Sequence, residues 1–229
     1  MLRRVLSNLF RSPPARTAPG IAVRLPGAGS AVLDVGGGGH EIPLPLHYAG
    51  WTRCLMDIDP AAKPDIVLDA RELGRLLPAQ FDAVYCSHNL EHYYAHEVKV
   101  LLRGFLHALK PAGFAEIRVP DVAAVAREIS VPGRELDDVL YTSPAGPITA
   151  RDIIYGYEPW IEKSGQGYYA HKTGFSRHTL ELALRASGLA HIHWLEPLGP
   201  YEIRAVALGA PASESVRAML GIDGAPPRC

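Results

Sequence analysis

Four consecutive glycines, Gly36–Gly39, follow the apolar run Ala31-Val32-Leu33 and the acid Asp34 with only Val35 between. A short apolar run of this kind suits a strand buried on both faces. Glycines at its carboxyl end form a turn that can take positive φ, so that a ligand can lie against main-chain N–H groups. A second apolar run, Cys54-Leu55-Met56, ends in Asp57, 23 positions after Asp34. Rossmann-like units place an acid at about this offset, about 20 residues on, where it accepts hydrogen bonds from a ribose. Together the two strand ends point to a nucleoside-containing cofactor at the carboxyl edge of a parallel sheet. A plain flexible turn is the alternative for the glycines alone.

Glycine spacing separates the nucleotide classes. The G-x-G-x-x-G fingerprint would need its last glycine at Glu41 or Ile42, and a Walker loop would need Gly-Lys-Ser/Thr, which the chain lacks. LDVGGGG resembles instead the first motif of class I S-adenosylmethionine-dependent methyltransferases, an acid followed by G-x-G. Asp34 corresponds to that acid and Gly36 and Gly38 to its glycines, while His40 stands where the family often has a third. The resemblance implies that the backbone at Gly36, Gly37 and Gly38 holds the methionine end of S-adenosylmethionine, Asp57 the ribose and Asp69 the adenine. Asp34, Ile58, Ala70 and Ser87 are the further cofactor-binding positions it implies.

The rest of the chain repeats strand and helix. Ile66–Leu68 reads as a third strand ending at Asp69, which also suits the cap of a short helix over Arg71–Leu77. Phe81–Cys86 is a fourth strand, and Val98, Leu101, Leu102, Phe105, Leu106 and Leu109 recur at helical spacing. Lys110-Pro111-Ala112-Gly113 stops that helix, and Phe114–Val119 is the next strand. Such alternation means parallel crossovers and an α/β fold. A helix over Arg177–Ser187 precedes Ala190–Leu195 and Glu202–Leu208, whose short connection predicts an antiparallel hairpin. The expected architecture is a Rossmann-like, mostly parallel seven-stranded sheet with helices on both faces and a C-terminal antiparallel strand, as the class I family has.

The segment after the fourth strand, SHNLEH, has two readings. His88, Glu91 and His92 form H-x-x-E-H, a metal motif of hydrolases, and His96 continues the spacing. That chemistry needs the motif inside a continuous helix, whereas here it follows a strand directly, so no metal ligand is expected. The second reading is again a resemblance: FDAVYCSHNLEH followed by LLRGFLHALKPAGF is similar to the same segment in the type 11 methyltransferase group that includes ubiquinone-biosynthesis enzymes. It covers Ala31–Asp121. AHKTGFS, Ala170–Ser176, resembles a motif of a bacterial subgroup and would bring His171 to the mouth of the site. His88, then His92 and His171, are the candidate catalytic bases, since imidazole titrates near neutrality. No Asn/Asp-Pro-Pro-Tyr follows the strand. The expected activity is therefore methyl transfer to a small-molecule or glycan-like acceptor, by O-methylation. A metal-dependent hydrolase and a non-catalytic methyltransferase-like domain, the latter supported by His40, are the alternatives.

Composition limits the setting. The 229 residues suit one domain, and 48% hydrophobic with 21% charged residues is ordinary for a soluble protein. A net charge of −1 gives no basic field for nucleic acid, so none is expected as a partner. Cys54, Cys86 and Cys229 make no C-x-x-C pair, which fits a reducing cytoplasm. Residues 1–20 form a separate basic amphipathic segment and linker, whose first 11 residues could touch an anionic membrane weakly or pack as a frayed helix. The methyltransferase domain is expected over 21–229. Its insertion at about 122–176 carries Tyr141, Tyr155, Tyr157, Trp160, Tyr168 and Tyr169, which suit either a substrate lid or a cover over a sheet edge.

Overall fold

The strand beginning at Ala31 is buried along its whole length because it has a parallel neighbour on each side. The protein is described by a computed structural model over residues 20–25, 27 and 29–222; the amphipathic segment expected within residues 1–11 lies outside them. β1 (Ala31–Val35) pairs with β2 (Thr52–Asp57) and β4 (Phe81–Ser87), and β3 (Ile66–Val67) extends the sheet beyond β2. On the other side β5 (Leu109–Pro120) pairs in parallel with β4. Numbering the strands in chain order, with β6 (Val139–Ser143) and β7 (Gly146–Thr149) forming a separate hairpin, leaves β8 (His191–Leu195) and β9 (Glu202–Leu208) to complete the sheet. The order is β3-β2-β1-β4-β5-β9-β8, with β9 antiparallel to both β5 and β8. The seven-stranded sheet and its antiparallel end are as expected.

Strand order reverses between β1 and β4. In an open α/β sheet the connections from such a pair leave in opposite directions and open a crevice beyond the carboxyl ends. Gly36–Gly39, Asp57 and His88 all lie at that edge.

The crossovers are leaner than the strands. Only one helical turn, Leu46–Tyr48, lies between β1 and β2, which matches the little room the sequence leaves there. The helix expected over Arg71–Leu77 is a tight turn, Ala70–Arg75, capped by the Asp69 carboxylate, which accepts from Arg71 N–H at 2.9 Å. Pro78 restricts Leu77 to extended backbone, and so short a segment does not repay helix nucleation. α1 (Ala95–Ala108) ends one residue before Leu109, and Lys110–Gly113 forms an irregular start to β5 instead of a loop. Within the insertion, α2 (Val122–Ile129), the β6–β7 hairpin, α3 (Ala150–Tyr155) and α4 (Glu158–Ser164) gather around Val125, Ile148, Ala150 and Ile153. α5 (Arg177–Ala186) and α6 (Glu214–Leu220) complete the described helices. None of these is long and apolar enough to cross a membrane.

α1 holds the Ala70–Arg75 turn in place. Gly104 is buried in that helix, and a Cβ there would lie 2.6 Å from Leu73 Cβ. Alanine gains about 1 kcal/mol of helix propensity, but overpacking a rigid core position costs about 1–3 kcal/mol, and this contact is at the root of the side chain. Gly104→Ala is expected to lower stability by about 1–2 kcal/mol in urea unfolding, net of that gain. An increase in stability would show that Leu73 is free to move.

Candidate active site

The glycine turn is built on a buried carboxylate. Asp34 is 1% exposed, and Oδ2 takes hydrogen bonds from Arg53 Nε at 2.9 Å and Nη2 at 2.5 Å. Burial holds the Asp34 carboxyl above its usual range, although Arg53 opposes the shift. The same guanidinium donates to three carbonyls of the turn: Gly39 at 3.0 Å, His40 at 3.1 Å and Ile42 at 2.9 Å. Gly36 and Gly38 take φ of +69° and +72°, the left-handed region that favours glycine. Close approach also demands glycine here. A Cβ on Gly36 would fall 2.0 Å from Asn89 Nδ2, and one on Gly37 would fall 2.2 Å from Asp34 Oδ2.

Asp57 faces this turn from the end of β2. Its Oδ2 accepts from Gly38 N–H at 3.1 Å and its Oδ1 from Asp59 N–H at 2.9 Å. Beyond them lies a cavity of about 590 Å³, bounded by Gly36, Gly38, Asp57, Ile58 and Asp69. Trp160, Tyr168 and Tyr169 of the insertion close its far side, and Tyr169 Oη donates to Asp59 Oδ2 at 3.0 Å. Tyr141 and Tyr157 line a second, smaller cavity, whereas Tyr155 is exposed. Asp69 is engaged by its cap and by Arg71 Nη2 at 2.6 Å; burial opposes ionisation, but Arg71 draws the carboxyl below its usual range. Asp34, Gly37 and Ser87 border a neighbouring cavity of about 280 Å³ on the Arg53 side, and Ala70 is buried against the core.

His88 stands at the end of β4 with φ +49°, an uncommon conformation for a residue with a side chain. Its ring bridges two carboxylates, with Nε2 3.0 Å from Glu202 Oε2 and Nδ1 3.5 Å from Glu91 Oε1. Arg118 fixes Glu202 from the other side through Nε at 3.0 Å and Nη2 at 2.6 Å. The His88 side chain is 46% exposed at the mouth of the cleft; desolvation there opposes a charge on the ring, but the hydrogen bonds to Glu202 and Glu91 outweigh it and push it up to about 9. At neutral pH the ring is a cation that offers no lone pair. Glu202 is shifted the other way: burial would raise it, but His88 and Arg118 bring it down to about 2.

His92 and His171 meet on the other side of Glu91. Their ring centroids are 4.9 Å apart, and His171 Nε2 lies 4.0 Å from Glu91 Oε1. Each histidine donates Nδ1–H to a carbonyl, His171 to Ile153 at 2.9 Å and His92 to Ala170 at 3.3 Å. Burial holds the His171 imidazole below its usual range, so it is neutral at pH 7. H-x-x-E-H thus lies in a turn, Leu90–His92, and not on a helix face. His96 stacks on Tyr94 instead, 5.9 Å between centroids. The three candidate histidines converge around Glu91, although one of them is 80 positions away from it.

Several site residues had not been singled out from sequence: Arg53, Asn89, Arg71, Arg118 and Glu202. For Arg53 a signal existed. A carboxylate in the middle of a buried strand requires a cation within reach, and the only basic residue of the second strand segment is Arg53.

Residues 9–193 match the sequence profile of a family described as a methyltransferase domain. No curated protein sequence matches the chain. A S-adenosylmethionine-dependent methyltransferase from Clostridium acetobutylicum superposes with a TM-score of 0.51 at 11% identity, covering 79% of this chain and 85% of that one. A SAM dependent methyltransferase from Archaeoglobus fulgidus gives 0.49 at 19% identity, over 78% and 85% of the two chains. Burkholderia thailandensis 1,6-didemethyltoxoflavin-N1-methyltransferase, solved with 1,6-didemethyltoxoflavin and S-adenosylhomocysteine, gives 0.45 at 19% identity, over 78% and 70%. At these identities the likeness is one of fold.

Two outcomes follow from the buried charges. Arg53→Met strands Asp34 without its cation, and loss of one partner of a buried pair costs about 3–5 kcal/mol. Urea unfolding should show that loss, with faster amide exchange at Gly39; unchanged protection there would mean that Arg53 does not hold the turn. Glu202 has a folded-state pKa near 2, below its ordinary 4.5, so its stabilisation is complete above about pH 4.5 and is lost as pH falls towards 2. The stability difference between wild type and Glu202→Gln should accordingly be constant from neutrality down to about pH 5 and shrink below it. A difference independent of pH would remove the ionic account.

Proposed function

This chain belongs to the methyltransferase domain family, is an S-adenosylmethionine-dependent enzyme, and on that premise we propose that it methylates an oxygen of a small-molecule or glycan-like acceptor. The observation that carries the site assignment is the cavity at the strand-order reversal, bounded by Gly36, Gly38 and Asp57. Its volume falls in the range of small-molecule sites, roughly 300–1,000 Å³. The residues fit the cofactor. Gly36 and Gly38 leave main chain facing the cavity, and the buried oxygens Asn89 Oδ1, beside it, and Asp34 Oδ1, beside the neighbouring cavity, have no hydrogen-bond partner. Such acceptors suit the ammonium of a methionine end. Asp57 uses one lone pair on each oxygen for Gly38 and Asp59, which leaves acceptor capacity for ribose hydroxyls. We assign Asp69 and Ile58 to the adenosine side.

S-adenosylmethionine supplies a methyl group already activated on a sulfonium sulfur. What remains for the chain is to align the acceptor, exclude water and receive a proton. Trp160, Tyr168 and Tyr169 provide the exclusion, so we assign residues 122–176 as the lid and substrate insertion of a domain spanning 21–229. The acceptor is assigned to the His88 side, where the main cavity adjoins a smaller one of about 140 Å³ that reaches His171, Tyr141 and Tyr157. His88 is assigned an orienting role, because both its ring nitrogens face carboxylates. Receipt of the proton goes to the neighbouring Glu91–His92–His171 group, where two Nε2 atoms have lone pairs. An oxygen acceptor is the class that needs such a group.

The family match gives no support to a hydrolase, and His40 is exposed, contributing only its carbonyl to the Arg53 clamp. Cys54 and Cys86, both buried and free, support a cytoplasmic location. Calorimetric titration with S-adenosylhomocysteine should give micromolar binding. Asp57→Ala should weaken it by about 1–3 kcal/mol, roughly 5- to 150-fold, for a lost buried acceptor. Absence of heat with folded protein stripped of copurified cofactor would overturn the cofactor assignment.

A further inference from the structure

Glu91 is the least explained charge in the molecule. It is 1% exposed, and neither carboxylate oxygen has a hydrogen-bond partner. Its charged partner His88 is 3.5 Å away and is shared with Glu202, and a buried carboxylate held so loosely is one that a further cation stabilises. One ligand atom each from Glu91, His92 and His171 lie within 4.8 Å of one another. We infer that these three residues form a binding site for a first-row transition-metal dication on the acceptor side of the cavity.

The histidines are oriented as metal ligands are. A ligating imidazole usually donates its other ring N–H to a carbonyl or carboxylate, which fixes the tautomer and the aim of the lone pair. Both do so: the carbonyls of Ile153 and Ala170 can only accept, so Nδ1 carries the proton in each ring and Nε2 presents its lone pair. The backbone is fixed as well. Lys172 N–H and Thr173 N–H donate to the Glu91 carbonyl at 2.7 Å and 3.2 Å, and His171 N–H donates to Tyr155 O at 3.0 Å. Residues 80 positions apart are thereby tied main chain to main chain at the cluster.

Two imidazoles and one carboxylate suit zinc, iron, cobalt or manganese better than calcium or magnesium, which prefer all-oxygen shells. Three protein ligands leave positions open, as catalytic sites do and structural zinc sites do not. Bonds of about 2.1 Å would place tetrahedral ligands about 3.4 Å apart, so the cluster would contract by roughly 1 Å on binding. The ligand set differs from the one the sequence motif offers, because His171 replaces His88, which is engaged by Glu202. An oxygen-bearing acceptor would fit the open positions; an ion takes both Nε2 lone pairs, so the group receives a proton only in its metal-free state. That use rests on the methyltransferase reading; the ion site itself does not.

The test uses full-length protein freed of metal by a chelator. Co²⁺ titration should produce a visible absorption band that saturates at one equivalent and is displaced by Zn²⁺. Glu91→Gln and His171→Ala should each weaken Co²⁺ binding roughly 100-fold, at least the effect of losing an outer-shell partner. S-adenosylhomocysteine titration and thermal unfolding of the same samples report whether each variant is folded; should Glu91→Gln fail to fold, His171→Ala decides. Weaker than millimolar binding to wild type, or equal binding to wild type and folded variants, would overturn the site. A wild type that binds Co²⁺ but not S-adenosylhomocysteine would leave the metal site standing and remove the cofactor assignment.

Discussion

The ion pair between Asp34 and Arg53 is the constraint on which the glycine turn, and the edge of the sheet around it, depends. In the parallel register Val32 lies opposite Arg53, so Asp34 and Arg53 are diagonal neighbours on one face of the sheet. A buried carboxylate needs a cation, and arginine does more than neutralise it. Its planar fork still has donors to spare, and these reach the Gly39, His40 and Ile42 carbonyls. A turn without regular hydrogen bonding is thereby tied to the strand that precedes it and to the strand that follows it. Lysine has the charge but not the geometry to serve all four partners.

This explains how the turn keeps its form without a helix after it. In many α/β units the N-terminus of a helix organises the loop at the end of the first strand. Here only Leu46–Tyr48 is helical between β1 and β2. The loop is held from below by Arg53 and from the side by Asp57, which accepts from Gly38. Gly36 and Gly37 are required by proximity to Asn89 and Asp34, so they are packing glycines as much as conformational ones.

Most strands of the large sheet were legible because they are short apolar runs that end at an acid, a glycine or a proline; β6 and β7 of the insertion were not read. Asp57 and the glycine turn were legible for the same reason, since their place at strand ends put them at one edge of the sheet. What the sequence concealed depends on register or on distance. Arg118 and Glu202 pair only because β9 runs antiparallel to β5 with Pro120 opposite Glu202. That pair also sets the surroundings of His88, whose ring lies between Glu202 and Glu91. Helical spacing grouped His88 with Glu91 and His92, but a strand-to-helix turn has no helical period, and the third partner, His171, came from the far end of the insertion. The Ala70–Arg75 turn was hidden by propensity: its residues favour a helix, but Pro78 and the short span deny it one.

The His171 cluster and the aromatics that close the main cavity are carried on one continuous segment. Tyr168 and Tyr169 precede His171 by three and two residues, and the same strand of chain continues into Lys172 and Thr173, which bond to Glu91. Two residues further on, Phe175 bridges to Asp121 just past the end of β5, and its carbonyl accepts from Val122 N–H at 2.9 Å. The segment from Tyr168 to Phe175 is thus pinned at its far end to the sheet and at its middle to the turn after β4. Tyr169 Oη reaches Asp59 at the cavity and His171 follows two residues later, so any displacement of these aromatics would also displace His171 from Glu91 and His92.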